Sequence, residues 1–98
     1  MQILTYPAAL SDQVKAVGKL HSSEEVDILT IQLKAGEQIP THHAKELAIV
    51  IVKSGIVSFD VEGKEVVLSP NETLVMNPLE NHSLVAIEDV ELFVFKIK

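Results

Sequence analysis

The sequence predicts an all-β fold, either a sandwich or a barrel. Short apolar or alternating segments recur about every ten residues, and turn residues separate them, which is typical of stacked strands rather than of strand–helix–strand units. Hydrophobic residues make up 47% of the chain and aromatic residues only 4%, so the apolar content is chiefly the aliphatic kind that strands favour. A chain of 98 residues has room for one hydrophobic core. We therefore expect a single domain over residues 1–98.

Residues 1–23 are predicted to form an N-terminal arm, and its local structure has two interpretations. Ser11 and Asp12 could cap a short helix that ends at Gly18. A strand over residues 14–20 fits the same pattern. The sequence leaves both alternatives open.

The barrel itself is predicted over about residues 24–97, where every signal is β. Residues 26–34 alternate, and this places Leu29 on the face opposite to Ile28. Residues 47–52 are apolar on both faces, which is typical of a strand covered on both sides. Further strands are predicted at residues 56–62, 65–68, 73–76, 83–87 and 91–97.

The composition excludes several classes of protein and site. The chain has no cysteine, so it can form neither a disulfide nor a thiolate metal site. A net charge of −6 without a basic cluster argues against a nucleic-acid partner. All basic residues are lysines, so bidentate capture of phosphate by arginine is excluded. No signal peptide or membrane-length apolar run occurs, and we expect a cytoplasmic protein without a membrane partner.

Two segments that contain histidine predict the functional site. In the first, Gly36 precedes His42 by six positions, and Gly55 follows after a strand-length interval. In the second, His82 follows a turn-rich stretch between two predicted strands. In a closed β-fold, such distant segments can meet at one end of the barrel.

These segments resemble the cupin family, whose fold is a double-stranded β-helix or jelly-roll barrel. The family's first motif runs Gly, five residues, His-x-His, three or four residues, Glu, six residues, Gly. Gly36, His42 and Gly55 occupy their places in it. Ala44 and Ala48 stand where the motif has its second histidine and its glutamate.

The second motif of the family is retained mainly in its spacing. It runs Gly, five residues, Pro-x-Gly, two residues, His, three residues, Asn, and His82 keeps its place. Asn71, Asn77 and Leu79 replace the glycine, the proline and the second glycine, and Ala86 replaces the final asparagine. Asparagine, like glycine, tolerates the left-handed backbone region, so Asn71 is a sensible substitute for the glycine of the motif.

The resemblance implies a divalent metal ion, which in a complete site is held by three histidines and a glutamate. Imidazole and carboxylate ligands with open positions suit iron, manganese, nickel or zinc. Of that ligand set, this chain carries over only His42 and His82.

Glu46 is the candidate for a third ligand. Side chains alternate along a strand, so in an extended segment Glu46 would share a face with His42, and His43 would point the other way. Ala44 and Ala48 would lie on the face of Glu46. If the segment is instead a bulge or a loop, this alternation fails.

A pocket is therefore predicted at the barrel mouth, lined by His42, Ala44, Glu46, Ala48 and His82. The two alanines enlarge the interior and make it more apolar, which suits a small apolar or weakly acidic molecule. The favoured hypothesis is a barrel that binds or senses a small ligand. The alternative is a metal-dependent enzyme of the dioxygenase or isomerase type that uses His42 and His82 with Glu46. A purely structural module is the third hypothesis.

No catalytic residue can be named from the sequence. The resemblance also implies a homodimer, paired through a sheet face or an exchanged N-terminal strand. The doubly apolar residues 47–52 agree with such a covered face.

Overall fold

The computed structural model describes residues 1–98 and contains nine β-strands and no helix. In chain order the strands are β1 (Lys15–Ser22), β2 (Val26–Leu33), β3 (Gln38–His42), β4 (Leu47–Ser54), β5 (Val57–Val61), β6 (Lys64–Leu68), β7 (Thr73–Met76), β8 (His82–Ala86) and β9 (Val90–Ile97). The prediction of an all-β fold is confirmed. The structure has no helix of the length and apolar character that crossing a membrane requires.

The strands form two antiparallel sheets that pack face to face. The five-stranded sheet has the order β1-β2-β9-β4-β7, and the four-stranded sheet has the order β3-β8-β5-β6. Every strand predicted after residue 25 forms within two residues of its predicted ends. The periodicity of the sequence therefore located most of the barrel.

The structure decides between the two alternatives for the N-terminal arm and adds one strand that was not predicted. Residues 15–22 form β1, which pairs with β2, so the strand alternative is correct and the helix does not form. Strand β3 was not predicted, because it is short, mostly exposed and interrupted by Pro40. Proline is tolerated there because β3 lies at a sheet edge and pairs only with β8.

Alternation along each strand places one set of aliphatic side chains between the sheets. On β4, Ala48, Val50 and Val52 are buried, whereas Ile51 on the other face is 40% exposed. Burying such side chains stabilises the fold by roughly 1.5–3 kcal/mol each relative to leaving them in water. The inner faces of all the central strands contribute to this single core.

The N-terminal arm covers part of the outer face of the five-stranded sheet. The side-chain amide of Gln32 donates to the carbonyl of Pro7 and accepts from the backbone N–H of Ala9, both at 3.0 Å. The ring of Tyr6 packs edge-on against Phe93 with centroids 5.7 Å apart. These contacts explain why Gln32 is buried on the outward face of its strand.

One end of the barrel is closed by three turns that contact one another. The carboxylate of Asp89 accepts a hydrogen bond from the backbone N–H of Ala35 at 2.9 Å. The N–H of Ile87 donates to the carbonyl of Ile56, also at 2.9 Å. Gly55 adopts a φ of +86°, and a Cβ at this position would lie 2.1 Å from the carbonyl oxygen of Asp89. Only glycine fits this approach.

Gly55→Ala should therefore be much more destabilising than Gly63→Ala. Gly63 has nearly the same φ, +85°, but a Cβ there would meet no atom within 4 Å. The Gly63 variant should lose about 1 kcal/mol through backbone strain alone. The Gly55 variant should lose more than about 3 kcal/mol, because the methyl group also displaces the Asp89 turn. Urea unfolding with an unchanged m-value measures both losses, and equal losses would contradict this account.

Candidate functional site

An apolar cavity of about 270 Å³ lies between the sheets, towards the end of the barrel away from Gly55. We call it the barrel cavity. Most of its lining is aliphatic. The apolar lining residues are Val17, Leu29, Ile31, Ile39, Ala44, Ala48, Phe59, Met76, Leu84 and Val94. The other lining residues are Lys15, Pro40, His42, His82 and Lys96. The cavity is therefore an apolar chamber with polar groups at a few positions.

The two predicted histidines meet at this cavity. His42 ends β3 and His82 begins β8, and the register of the two strands makes them direct cross-strand partners. Their ring centroids are 4.1 Å apart with an interplanar angle of 64°. His82 is 7% exposed, whereas His42 is open to solvent. The His82 ring is therefore buried in the cavity wall, and the exposed His42 ring packs against it.

Backbone carbonyls fix the orientation of both rings in the same way. Nδ1 of His42 lies 3.0 Å from the carbonyl oxygen of Pro40, and Nδ1 of His82 lies 3.1 Å from that of Glu80. A carbonyl oxygen can only accept, so Nδ1 carries the proton in each ring. The neutral imidazoles are left with a lone pair on Nε2, which can accept a hydrogen bond or coordinate a metal ion.

Burial lowers the pKa of His82 below its ordinary value of 6.5. Electrostatic repulsion by the Lys96 ammonium, and by the His42 ring when that ring is protonated, lowers the pKa of His82 further. The hydrogen bond to the carbonyl of Glu80 opposes the shift only in part. At neutral pH the His82 ring is therefore uncharged. Its Nε2 is an acceptor under physiological conditions.

The loop before β8 is joined to the loop after β3. The backbone N–H of Leu79 donates to the carbonyl of Ala44 at 2.8 Å. Leu79, which stands where the motif has its second glycine, has a φ of +69°, in the left-handed region that leucine rarely adopts. Asn71 tolerates the left-handed region but does not use it here, because the residues with positive φ do not include it.

The structure separates Glu46 from the two histidines. Strand β3 ends at His42, and residues 43–46 connect it to β4, so strand alternation does not apply to them. Ala44 and Ala48 line the barrel cavity, but Glu46 does not, and His43 is exposed. Glu46 therefore does not share the face on which His42 lies, as an extended strand would have required.

The residues present do not fit a tightly held metal ion. A catalytic first-row metal site uses three protein ligands and an open position. The structure brings no three histidine, cysteine, aspartate or glutamate side chains close enough to hold a metal. The His42–His82 pair supplies two imidazoles, and the remaining polar lining residues are lysines, which are cationic at neutral pH.

The two lysines of the cavity, Lys15 and Lys96, were not predicted from the sequence. Lys96 follows Val94 by two positions on β9, so strand alternation places it on the same inner face. This signal was present in the sequence. The position of Lys15 could not be predicted in this way, because it depends on a contact between strands of different sheets. Nζ of Lys15, on β1, donates to the carbonyl of Gln38, on β3, at 2.6 Å.

Comparisons with solved structures support the same architecture. An RmlC-like cupin family protein with a double-stranded β-helix fold from Methanocaldococcus jannaschii is 23% identical, with a TM-score of 0.85, over 99% of this chain and 90% of that chain. An RmlC-like cupin from Desulfovibrio desulfuricans is 25% identical, with a TM-score of 0.78, over 88% and 84%. A conserved protein of unknown function from Streptococcus pyogenes is 23% identical, with a TM-score of 0.80, over 89% and 75%. These matches confirm the double-stranded β-helix.

Among curated proteins, no match is found. The family model described as a cupin domain matches residues 29–97, which include most of β2, every strand after it, and both His42 and His82. The geometry of the barrel and this match agree, and the chain belongs to the cupin family.

Proposed function

We propose that this protein binds or senses a small molecule in the barrel cavity. The observation that carries the proposal is an apolar chamber of about 270 Å³ lined by two imidazoles, each with its Nδ1 bonded to the backbone. Apolar pockets with a few fixed polar groups are the usual form of small-molecule sites. The combination of apolar cavity walls with two hydrogen-bond acceptors, the imidazoles of His42 and His82, supports this proposal.

The volume limits the size of the ligand. A water molecule occupies about 30 Å³ in the liquid, so the chamber corresponds to roughly nine waters. A ligand of about ten non-hydrogen atoms would fill it. Its apolar body would gain about 25 cal/mol for each Å² removed from water.

The histidines can accept a hydrogen bond from a polar group of the ligand. Both Nδ1–H groups are used by backbone carbonyls, and the neutral rings offer only Nε2. A hydroxyl or N–H of the ligand can donate to that nitrogen. A small hydroxyl-bearing or weakly acidic apolar molecule therefore matches the site.

Phenol should bind more tightly than toluene, which has the same shape but no donor. In His82→Phe the phenol affinity should fall about tenfold, since a net hydrogen bond contributes about 1 kcal/mol or slightly more. The toluene affinity should be kept. NMR titration of the methyl groups of Ile31 and Leu84 measures both, with Val67 outside the cavity as the control methyl.

Equal affinities for phenol and toluene would contradict the role of His82. If neither compound binds and the protein instead retains stoichiometric iron, manganese, nickel or zinc that is lost in His42→Ala, the result would favour the metal-dependent enzyme. That alternative needs a third ligand beside the two histidines.

Acidification should weaken both the phenol complex and the fold. His82 has a pKa lower in the folded protein than the ordinary 6.5, so the unfolded chain binds the proton more readily. The free energy of unfolding should fall as the pH drops from about 6.5 through the lowered pKa, and it should level off below it. His82→Phe should remove this part of the pH dependence. Histidine NMR titration and urea unfolding between pH 8 and about pH 4.5 check both effects; a His82 pKa above 6.5 would refute them.

We propose further that a second copy of the chain covers the outer face of the five-stranded sheet. The register places Ile28, Phe95, Ile49 and Val75 in one uncharged row across four strands. Such a row can pack against the same row of a second copy without charge repulsion, although the chain carries a net charge of −6. Val75 is 54% exposed in the isolated chain.

Val75→Lys should convert a dimer into a monomer in size-exclusion chromatography with light scattering. Val67→Lys is the matched control, because Val67 is a similarly exposed valine, at 51%, on the other sheet. A wild-type protein that is monomeric at micromolar concentration would disprove the pairing.

A further inference from the structure

The only charged side chains that line the barrel cavity are two lysines, Lys15 and Lys96. The chain has fourteen acidic residues and eight basic ones, yet none of the acidic residues lines the cavity. The charge of the chamber is therefore opposite in sign to the net charge of the protein. Such a reversal at one concave site favours an anionic ligand.

No carboxylate of the chain neutralises either lysine. The two ion pairs of the structure join Lys53 to Glu91 and Lys98 to Asp27. Asp27 is the cross-strand neighbour of Lys96, but its carboxylate accepts from Ser22 Oγ at 2.6 Å and lies 3.0 Å from Lys98 Nζ. The natural intramolecular partner of Lys96 is already engaged by other groups.

The positive charge of Lys96 acts on the buried histidine, His82. It is one of the causes that lower the pKa of His82, so its ammonium lies close enough to influence that ring. Lys15 uses one hydrogen-bond donor on the carbonyl of Gln38, and an ammonium group has two more. Both lysines therefore have donors available to a bound molecule.

We propose that the ligand of the barrel cavity is a small carboxylate, whose apolar body packs on the aliphatic walls and whose carboxylate is bound by Lys96, with Lys15 as a second cation. This inference rests on the proposed function, because it names the class of ligand for the same cavity. A single negative charge is suited to a site with two lysines and no arginine, since an apolar chamber opposes the burial of higher charge.

Benzoate and benzamide provide the test, because they share one shape and differ in charge. Benzoate should bind about tenfold more tightly than benzamide in calorimetric or NMR titration. This preference should shrink as sodium chloride is raised, since salt screens a partly exposed ion pair. It should disappear in Lys96→Gln and be retained in Lys96→Arg. Lys64→Gln, in the distant β5–β6 hairpin, should leave it unchanged.

The outcomes separate this inference from the proposed function. If benzoate and benzamide bind equally well and Lys96→Gln alters neither, the carboxylate assignment is overturned while a neutral cavity ligand remains supported. If toluene and benzamide bind but benzoate does not, the assignment is likewise overturned. If none of these compounds shifts the cavity methyl resonances, both proposals fail. Thermal unfolding of each variant, together with the parallel variant Lys15→Gln, distinguishes loss of binding from loss of folding.

Discussion

The barrel depends on the closure of one end, where the backbone of Gly55 contacts the backbone of the Asp89 turn. Gly55 approaches the Asp89 turn so closely that no side chain fits between them. Next to this contact Leu33, Val57 and Val90 are fully buried, so the sheets are held at a fixed separation by filled space. Interiors of this kind are packed as densely as organic crystals and do not collapse further. The other end can therefore stay open without the two sheets closing on it.

The open end is chemically different because small residues occupy it. Ala44 and Ala48 line the cavity at positions where the family motif has a histidine and a glutamate. Alanine in place of a metal ligand removes the donor atoms and leaves the volume of the larger side chain empty. Because the scaffold is rigid, this volume remains as part of the cavity. The polar side chains that line it are Lys15, Lys96 and the His42–His82 pair. Two backbone carbonyls hold the two imidazoles in one tautomer. The departure from the motif thus changes the kind of molecule that fits and leaves the barrel intact.

Strand periodicity predicted most of this architecture from the sequence, and the loops mark its limit. The alternation of β2 and the apolar run of β4 locate the core, since a side-chain period of two is a direct consequence of extended backbone. The histidine pair was found through motif spacing. Glu46 was expected on the face of His42 only if the segment stayed extended, and β3 ends at His42, so the loop alternative applies. Lys15 was missed because its contact with Gln38 links strands of different sheets, which no local pattern reports.

The proline in β3 affects how readily this edge of the sheet can pair with a strand of another chain. An edge strand presents unpaired N–H and C=O groups that can recruit a strand from another chain. Pro40 has no N–H to offer, and the register of β3 against β8 is irregular between Ile39 and His42. This edge is consequently a poor template for intermolecular β-sheet growth. Since Ile39, Pro40 and His42 also line the cavity, the segment that discourages aggregation is at the same time part of the cavity wall.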